Sequence, residues 1–373
     1  MARRARGCGA VYLRGDGRWE AQYRMADGRR KCLYGRTRRE VLSKLRETRW
    51  AVAHGLPVSS RKLLLSEYLE YWLEMTRCRV RTSTYQNCEL NVRRLTQALG
   101  RIPLLRLSPP LIQEAYRHLH DGGLSDHSVL QTHRVLNRCL MQAFHWGLIP
   151  RNPTILVFPP RPARREMTAL SADHLLRLLD HTRGHRLYPL WVVLGTTGLR
   201  LGEALGLSWD DVNIGSGRVV VRRGLQRQRR AGKVFVPLKT ARSYRTVVLT
   251  RRAVEALRDQ RRLHDELRVT EEGWNDQGLV FPDTVGGPME PGHPGSVLKR
   301  VLPEAGLPPI RVHDLRHTAA TIMLVEGVHP KVVQDMLGHS TINTTLDTYS
   351  HVMPTLHDAA VRKLDLVLDR PAA

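Results

Sequence analysis

The stretch Phe158-Pro-Pro-Arg-Pro-Ala-Arg-Arg165 constrains the fold more than any other. Its prolines fix φ and remove backbone donors, and its arginines resist burial, so neither a packed helix nor a central strand can run through it. The chain must therefore be built as separate bodies on either side of an extended, cationic linker. At 373 residues it is long enough for two or three domains, each with its own core. The boundaries implied are a first domain over 1–58, a second over 62–158, the linker over 159–168 and a last domain over 169–373.

Residues 1–58 open with short β-like runs, Ala10 to Arg14, Arg18 to Met25 and Lys31 to Tyr34. The turn signals Gly15-Asp-Gly17 and Ala26-Asp-Gly28 separate them, which predicts a three-stranded sheet. Thr37-Arg-Arg-Glu40 has capping-box spacing, and Val41, Leu45 and Val52 recur at helical intervals, so one helix is expected to cover the sheet. Fifteen Lys and Arg against five Asp and Glu fall in residues 1–50. A basic sheet presenting Arg14, Arg18, Arg24 and Arg29 could enter a DNA groove, or it could add only electrostatic grip.

From Leu63 to Pro159 the apolar spacing turns helical, with candidates near Ser66 to Thr76, Thr82 to Leu99, Pro109 to His120 and Ser125 to Trp146. They predict a four- or five-helix bundle. Arg77, Arg79, Arg81, Arg93, Arg94, Arg134 and Arg138 would line mainly one side if the bundle clasps a duplex, and otherwise are ordinary solvated charges. Beyond the linker, Ser171 begins a helix and Leu190 to Leu194 enters a buried one. Val219 to Arg223, Lys233 to Leu238 and Arg245 to Leu249 read as one antiparallel sheet, and helices follow Val254. The fold class expected is multidomain and mainly α with small β-sheets.

Charge indicates the partner. The chain carries 59 Lys and Arg against 35 Asp and Glu, a formal net charge of +24. Such an excess points to a polyanion, and the planar fork of the predominant arginines suits phosphate. No apolar run approaches 18 residues, and Met1-Ala-Arg-Arg-Ala-Arg6 lacks the apolar core of a signal peptide, so no membrane association and a cytoplasmic location are expected. The cysteines Cys8, Cys32, Cys78, Cys88 and Cys139 form no C-x-x-C pair, which favours free thiols over a zinc site or a disulfide framework.

Four segments carry chemistry. In Thr196-Thr-Gly-Leu-Arg200-Leu-Gly-Glu203 the threonines and Gly198 offer a helix start, and Glu203 lies at i+3 from Arg200, able to hold its fork. In Val312-His313-Asp-Leu-Arg316-His317, the core stripe Leu315, Ala319, Ile322 and Met323 sends His313, Arg316 and His317 to the opposite face. His313 and His317 imitate the paired ligands of a zinc helix, yet Arg316 on their face and Asp314 in place of a glutamate base oppose a metal. Lys239 ends the run Lys233 to Leu238, at the tip of the small sheet, where it could donate a proton. Finally, a helix ending at Gly338 leaves His339 at its boundary, and a short helix carries Tyr349, whose phenol, with an ordinary pKa of ~10, needs a base or nearby cations to become a nucleophile.

Together these segments resemble the tyrosine recombinases, the phage integrase family, whose signature runs Arg, Lys, His-x-x-Arg, His and Tyr. Arg200, Lys239, His313, Arg316, His339 and Tyr349 match it in order, with Glu203 at the supporting acidic position. The match spans about residues 165 to 355; more weakly, the helical region resembles the family's core-binding domain and the N-terminal sheet its arm-binding domain.

The resemblance implies that Tyr349 attacks a DNA phosphorus, giving a 3′-phosphotyrosyl link and a free 5′-hydroxyl without ATP, metal or other cofactor. Arg200 and Arg316 would hold the non-bridging oxygens with His339, Lys239 would protonate the leaving oxygen, and His313 would accept the phenolic proton or position Arg316. It further implies a homotetramer on double-stranded DNA of core-type and arm-type sites, with DNA-bending or directionality factors; of the bundle arginines, Arg81 and Arg134 are the expected DNA contacts. The tail Val352 to Leu368 could pack in cis or on a neighbouring protomer. Two readings compete with site-specific integration or excision: type IB topoisomerase-like relaxation, and a catalytically silent DNA-binding regulator.

Overall fold

In the computed structural model the described residues are 11–24, 30–42, 44–45, 63–163, 168–238, 243–338 and 341–342. They belong to two units, 1–164 and 165–373, which meet inside the proline-arginine stretch. Among the described residues no helix is long and apolar enough to cross a membrane.

The first unit begins with an antiparallel sheet of β1 (Val11–Leu13), β2 (Trp19–Arg24) and β3 (Arg30–Gly35), in that order. Gly17, at φ 79°, permits the tight turn between β1 and β2. Strand alternation sends Ala21 and Tyr23 to one face, where they pack against Val41 and Leu45 of the helical residues 38–42 and 44–45. The turn at Ala26 to Gly28 and the expected contact of Val52 lie outside the described residues.

Four helices follow: α1 (Leu65–Arg77), α2 (Thr82–Leu99), α3 (Pro109–Asp121) and α4 (Asp126–His145). Pro109 supplies a preset φ at the first position of α3, and the Ser125 hydroxyl accepts from the Ser128 amide to cap α4. Tyr68, Leu69, Leu95, Ile112, Leu136 and Leu140 make the bundle's core. Its buried polar groups are paired: Tyr68 donates to the Cys139 carbonyl at 2.6 Å and Thr132 to Asn91 Oδ1 at 2.8 Å. Phe158, where the linker opens, exchanges both backbone groups with the Gln113 side chain on α3.

The second unit runs α5 (Ala172–His181), α6 (Tyr188–Thr197), α7 (Leu201–Leu205), β4 (Val212–Asn213), β5 (Arg218–Val221), β6 (Arg223–Gln228), β7 (Gly232–Pro237), β8 (Arg245–Val248), α8 (Arg251–Thr270), α9 (His293–Glu304), α10 (Val312–Val325) and α11 (Pro330–Leu337). The Ser171 hydroxyl caps α5, and α6 is buried on all sides. In place of the single sheet expected there are two: β4, β5 and β8 in one, β6 and β7 in the other. The run Val219 to Arg223 breaks because β6 leaves to pack on α7, glycine against glycine. A side chain at Gly202 would meet the Leu225 carbonyl at 2.8 Å, and one at Gly206 the Arg223 carbonyl at 2.9 Å. Only glycines let a helix backbone approach a strand that closely.

Candidate active site

The site is organised around the turn between α6 and α7. Thr196 and Thr197 spend their hydroxyls on the carbonyls of Val192 and Val193, within α6, and Gly198 closes that helix at φ 67°, ψ 22°. This corrects the reading of Gly198 as a helix start. The new helix begins at Arg200, its N-cap, whose extended backbone turns the chain into α7.

Glu203 holds this turn from below. Its carboxylate accepts the Arg200 amide at 3.1 Å and Arg200 Nη1 at 2.6 Å, fixing both ends of that residue. The same carboxylate accepts Arg245 Nη2 at 2.8 Å, from the start of β8. Burial alone would raise the Glu203 carboxyl, but Arg245 and Arg200 hold it below the usual range.

Arg316 enters from α10. Its side chain does not project away from the core as the helical stripe implied: the residue is 2% exposed, and Nη1 donates to the Gly198 carbonyl at 2.7 Å. The stripe misleads because α10 buries more than one face, with Val312, Asp314, Leu315, Thr318, Ala319 and Ala320 also buried. One helical turn earlier, Arg311 grips Asp314 with Nε at 3.1 Å and Nη2 at 2.8 Å, while the Asp314 carboxylate also accepts the Arg311 amide. Thr318 accepts the Leu170 amide at 3.0 Å, which ties the chain just after the linker to α10.

His313 and His317 stack edge to face with ring centroids 5.0 Å apart. His313 is exposed, yet partial desolvation against the helix, then Arg316, lowers its pKa, with Arg200 contributing in the same direction. Burial and the neighbouring His313 bring His317 down to about 4, so that ring is neutral near pH 7. Arg200, His313 and Arg316 thus lie in one electrostatic neighbourhood. Among the described residues no group of three or more His, Cys, Asp and Glu side chains could hold a metal.

The end of α11 closes against the same turn. A Cβ at Gly198 would come 2.4 Å from Leu337 Cδ2, so the last leucine of α11 sits on the glycine. Gly338 then terminates the helix at φ 69°, one residue before His339. His339, Lys239 and Tyr349 lie outside the described residues, as does the tail from Val352. Lys239 belongs to the connection 238–244 between β7 and β8, whereas the tip of the β6–β7 hairpin is the segment 229–231, with Arg229 and Arg230. The tip position expected for Lys239 falls outside the described residues.

Arg245 belongs to the site without matching any of the four segments, and a sequence signal marks it. It shares a strand phase with Val247, which is 1% exposed, so an arginine there faces inward and needs an acceptor.

The arginines expected to meet DNA in the first unit fall in two places. On the sheet face away from the helix, Tyr12 Oη at 2.8 Å, Gln22 Nε2 at 3.1 Å and Arg14 Nη1 at 3.0 Å all donate to Glu20. Cys32 and Tyr12, as donors, help bring its carboxyl to about 2. Arg18 is exposed beside Asp16; Arg29 and the side chain of Arg24 lie outside the described residues. On the bundle, Arg77, Arg79, Arg81, Arg93, Arg134 and Arg138 are exposed and Arg94 is half-buried. Arg94 donates to Asn91 Oδ1, and Asn91 is the residue that joins α2 to α4 through Thr132.

A mainly helical unit that gathers two arginines, a buried glutamate and a histidine from separated segments defines a phosphodiester-handling enzyme of the tyrosine recombinase type. Residues 168–355 match the phage integrase family and residues 64–120 the phage integrase N-terminal SAM-like domain, so the chain belongs to the phage integrase family. It is 28% identical to a XerC-like tyrosine recombinase of Caldanaerobacter subterraneus, over 90% of this chain and 91% of that one. It is 24% identical to an integrase of Saccharopolyspora erythraea, over 97% of each. Among solved structures, the Tn1549 transposon integrase bound to transposon right end DNA aligns at a TM-score of 0.69 and 22% identity, over 80% of this chain and 99% of that one. The lambda integrase dimer on a core site aligns at 0.59 and 18%, over 93% and 96%.

Proposed function

We propose that this chain is a site-specific DNA recombinase that cuts and rejoins duplex DNA through Tyr349. The observation that carries the proposal is the buried Arg316 guanidinium, held by the Gly198 carbonyl beneath the turn that bears Arg200. A guanidinium fixed in place beside Arg200 is suited to hold a non-bridging phosphate oxygen as charge develops on it.

In the proposed reaction the Tyr349 oxygen forms a bond to phosphorus as the bond to the 5′ oxygen breaks. The phenolic proton passes to His313, and the departing oxygen takes a proton from Lys239. Arg200, Arg316 and His339 hold the non-bridging oxygens, where charge accumulates in the pentacoordinate state. Rejoining is the reverse attack by a 5′-hydroxyl, so neither ATP nor a metal enters the balance.

The lambda integrase tetramer on a Holliday junction supports assembly of four protomers around two DNA sites. Arg81 and Arg134 would contact core-type DNA, and the sheet residues Arg14, Arg18, Arg24 and Arg29 would contact arm-type DNA, with bending or directionality factors as further partners.

A nicked duplex that loses its 5′-hydroxyl fragment on cleavage tests the mechanism. The parent chain should form a denaturant-resistant DNA adduct and Tyr349→Phe should bind without attaching; an adduct with Tyr349→Phe would refute the assignment.

A further inference from the structure

Arg245 lies at the crossing of three segments that the recombination chemistry needs. Its side chain is 7% exposed, and its donors go to three different places. Nη2 reaches Glu203 on α7 at 2.8 Å, Nη1 reaches the Ser243 carbonyl in the β7–β8 connection at 3.1 Å, and Nε reaches the Met336 carbonyl in the last turn of α11 at 2.7 Å. Gly338 lies against the guanidinium, since a Cβ there would come 3.1 Å from Nη1 and 3.3 Å from Cζ.

Each of these segments leads to a different proposed catalytic group. Glu203 fixes the amide and the fork of Arg200, the connection 238–244 carries Lys239, and Gly338 precedes His339. We infer that Arg245 is the positioning residue that sets Arg200, Lys239 and His339 in register with one another, a role that rests on the recombinase reading above. Its planar fork is suited to this because three acceptors in three directions cannot be met equally by the compact ammonium of a lysine. The buried carboxylate is the pivot: it joins the arginine facing the phosphate to the arginine facing away from it.

The experiment uses the full chain and a nicked duplex carrying the DNA that flanks its own coding sequence. Single-turnover adduct formation at saturating duplex is measured for the parent, Arg245→Lys, Glu203→Gln and the double variant, each normalised to the folded fraction. Arg245→Lys should bind the duplex as the parent does while attaching roughly a hundredfold more slowly, the scale of loss that a displacement of about 1 Å produces. The double variant should be no slower than the slower single variant, because the two side chains act as one unit. Gly338→Ala, which presses on the guanidinium without removing it, should slow attachment in the same direction and serves if Arg245→Lys does not fold.

Attachment by Arg245→Lys or Gly338→Ala within about threefold of the parent, or a loss that merely follows the folded fraction, overturns the role of Arg245. A parent chain that forms no Tyr349-dependent adduct overturns the recombinase reading itself, which is a different outcome on the same gel.

Discussion

Arg316 Nη1 donates a 2.7 Å hydrogen bond to the carbonyl of Gly198, 118 residues earlier in the chain. That single bond joins α10 to the turn that presents Arg200, and it is made possible by a glycine conformation. With φ at 67°, the Gly198 peptide can turn its carbonyl toward α10 while the chain reverses into α7. Leu337 fills the space a side chain would have occupied, so the end of α11 is set by the same residue.

Gly198→Ala is therefore expected to be costly twice. The positive φ is strained for any residue with a Cβ, and the added carbon would sit 2.4 Å from Leu337 Cδ2. Strain and overpacking together predict a loss of about 2–4 kcal/mol. Urea unfolding should show a lower midpoint at unchanged slope; a midpoint equal to the parent's would show that the turn is not under this constraint.

Glu203→Gln keeps the shape of the side chain but leaves Arg245 buried beside a neutral group. A loss of roughly 3 kcal/mol is expected, in the range for breaking one partner of a buried pair. The pH dependence carries the sign. The Glu203 carboxyl lies below its ordinary value in the folded chain, so its contribution is present above that value and disappears as pH falls through the folded pKa. Calorimetry from pH 7 to pH 3 should show the gap between parent and variant narrowing toward the acid end, and a constant gap would contradict the charge argument.

What the sequence discloses here follows the range of each interaction. The Arg200–Glu203 pair is readable because i,i+3 spacing on a short helix is local, and the bundle helices are readable because each keeps one apolar stripe. Strand β6 is hidden: Arg223 to Gln228 holds a lone leucine, and its packing depends on Gly202 and Gly206 in a different element. The apolar stripe puts Arg316 on the wrong side because it identifies one buried face, whereas α10 buries more than one. Arg245 illustrates the deepest limit, since its three partners come from segments that only the tertiary fold assembles.

A second acid-sensitive feature lies away from the arginines. His264 on α8 is 6% exposed, accepts the Trp209 indole N–H at 3.4 Å and contacts Gln260 at 2.7 Å. Burial brings its pKa from 6.5 down to about 4. The unfolded chain therefore binds a proton that the folded one refuses, so this stability is whole above pH 6.5 and is lost as pH falls toward 4. At about 1.4 kcal/mol per unit, the loss attributable to this ring is at most about 3.5 kcal/mol. His264→Gln should flatten the stability curve between those limits, though incompletely, because His317 shifts in the same direction. An unaltered slope would mean that the ring is solvated in the folded chain.

The charge excess makes its own prediction through Arg134 and Arg81, both exposed on the helical bundle. If they contact phosphates, each neutralises one backbone charge and releases condensed counterions, which contributes about −0.9 to the slope of log affinity against log salt. Arg134→Ala should weaken duplex binding to similar extents across sequences and make that slope shallower by about 1, with Arg81→Ala doing the same and the pair shifting it by about 2. Stability should stay within about 0.5 kcal/mol, since neither change opens a cavity in the core. Anisotropy titrations of a labelled duplex at several salt concentrations provide the slope. If it does not move for either variant, these arginines face solvent in the complex, and the surface that tracks the backbone lies elsewhere on the bundle.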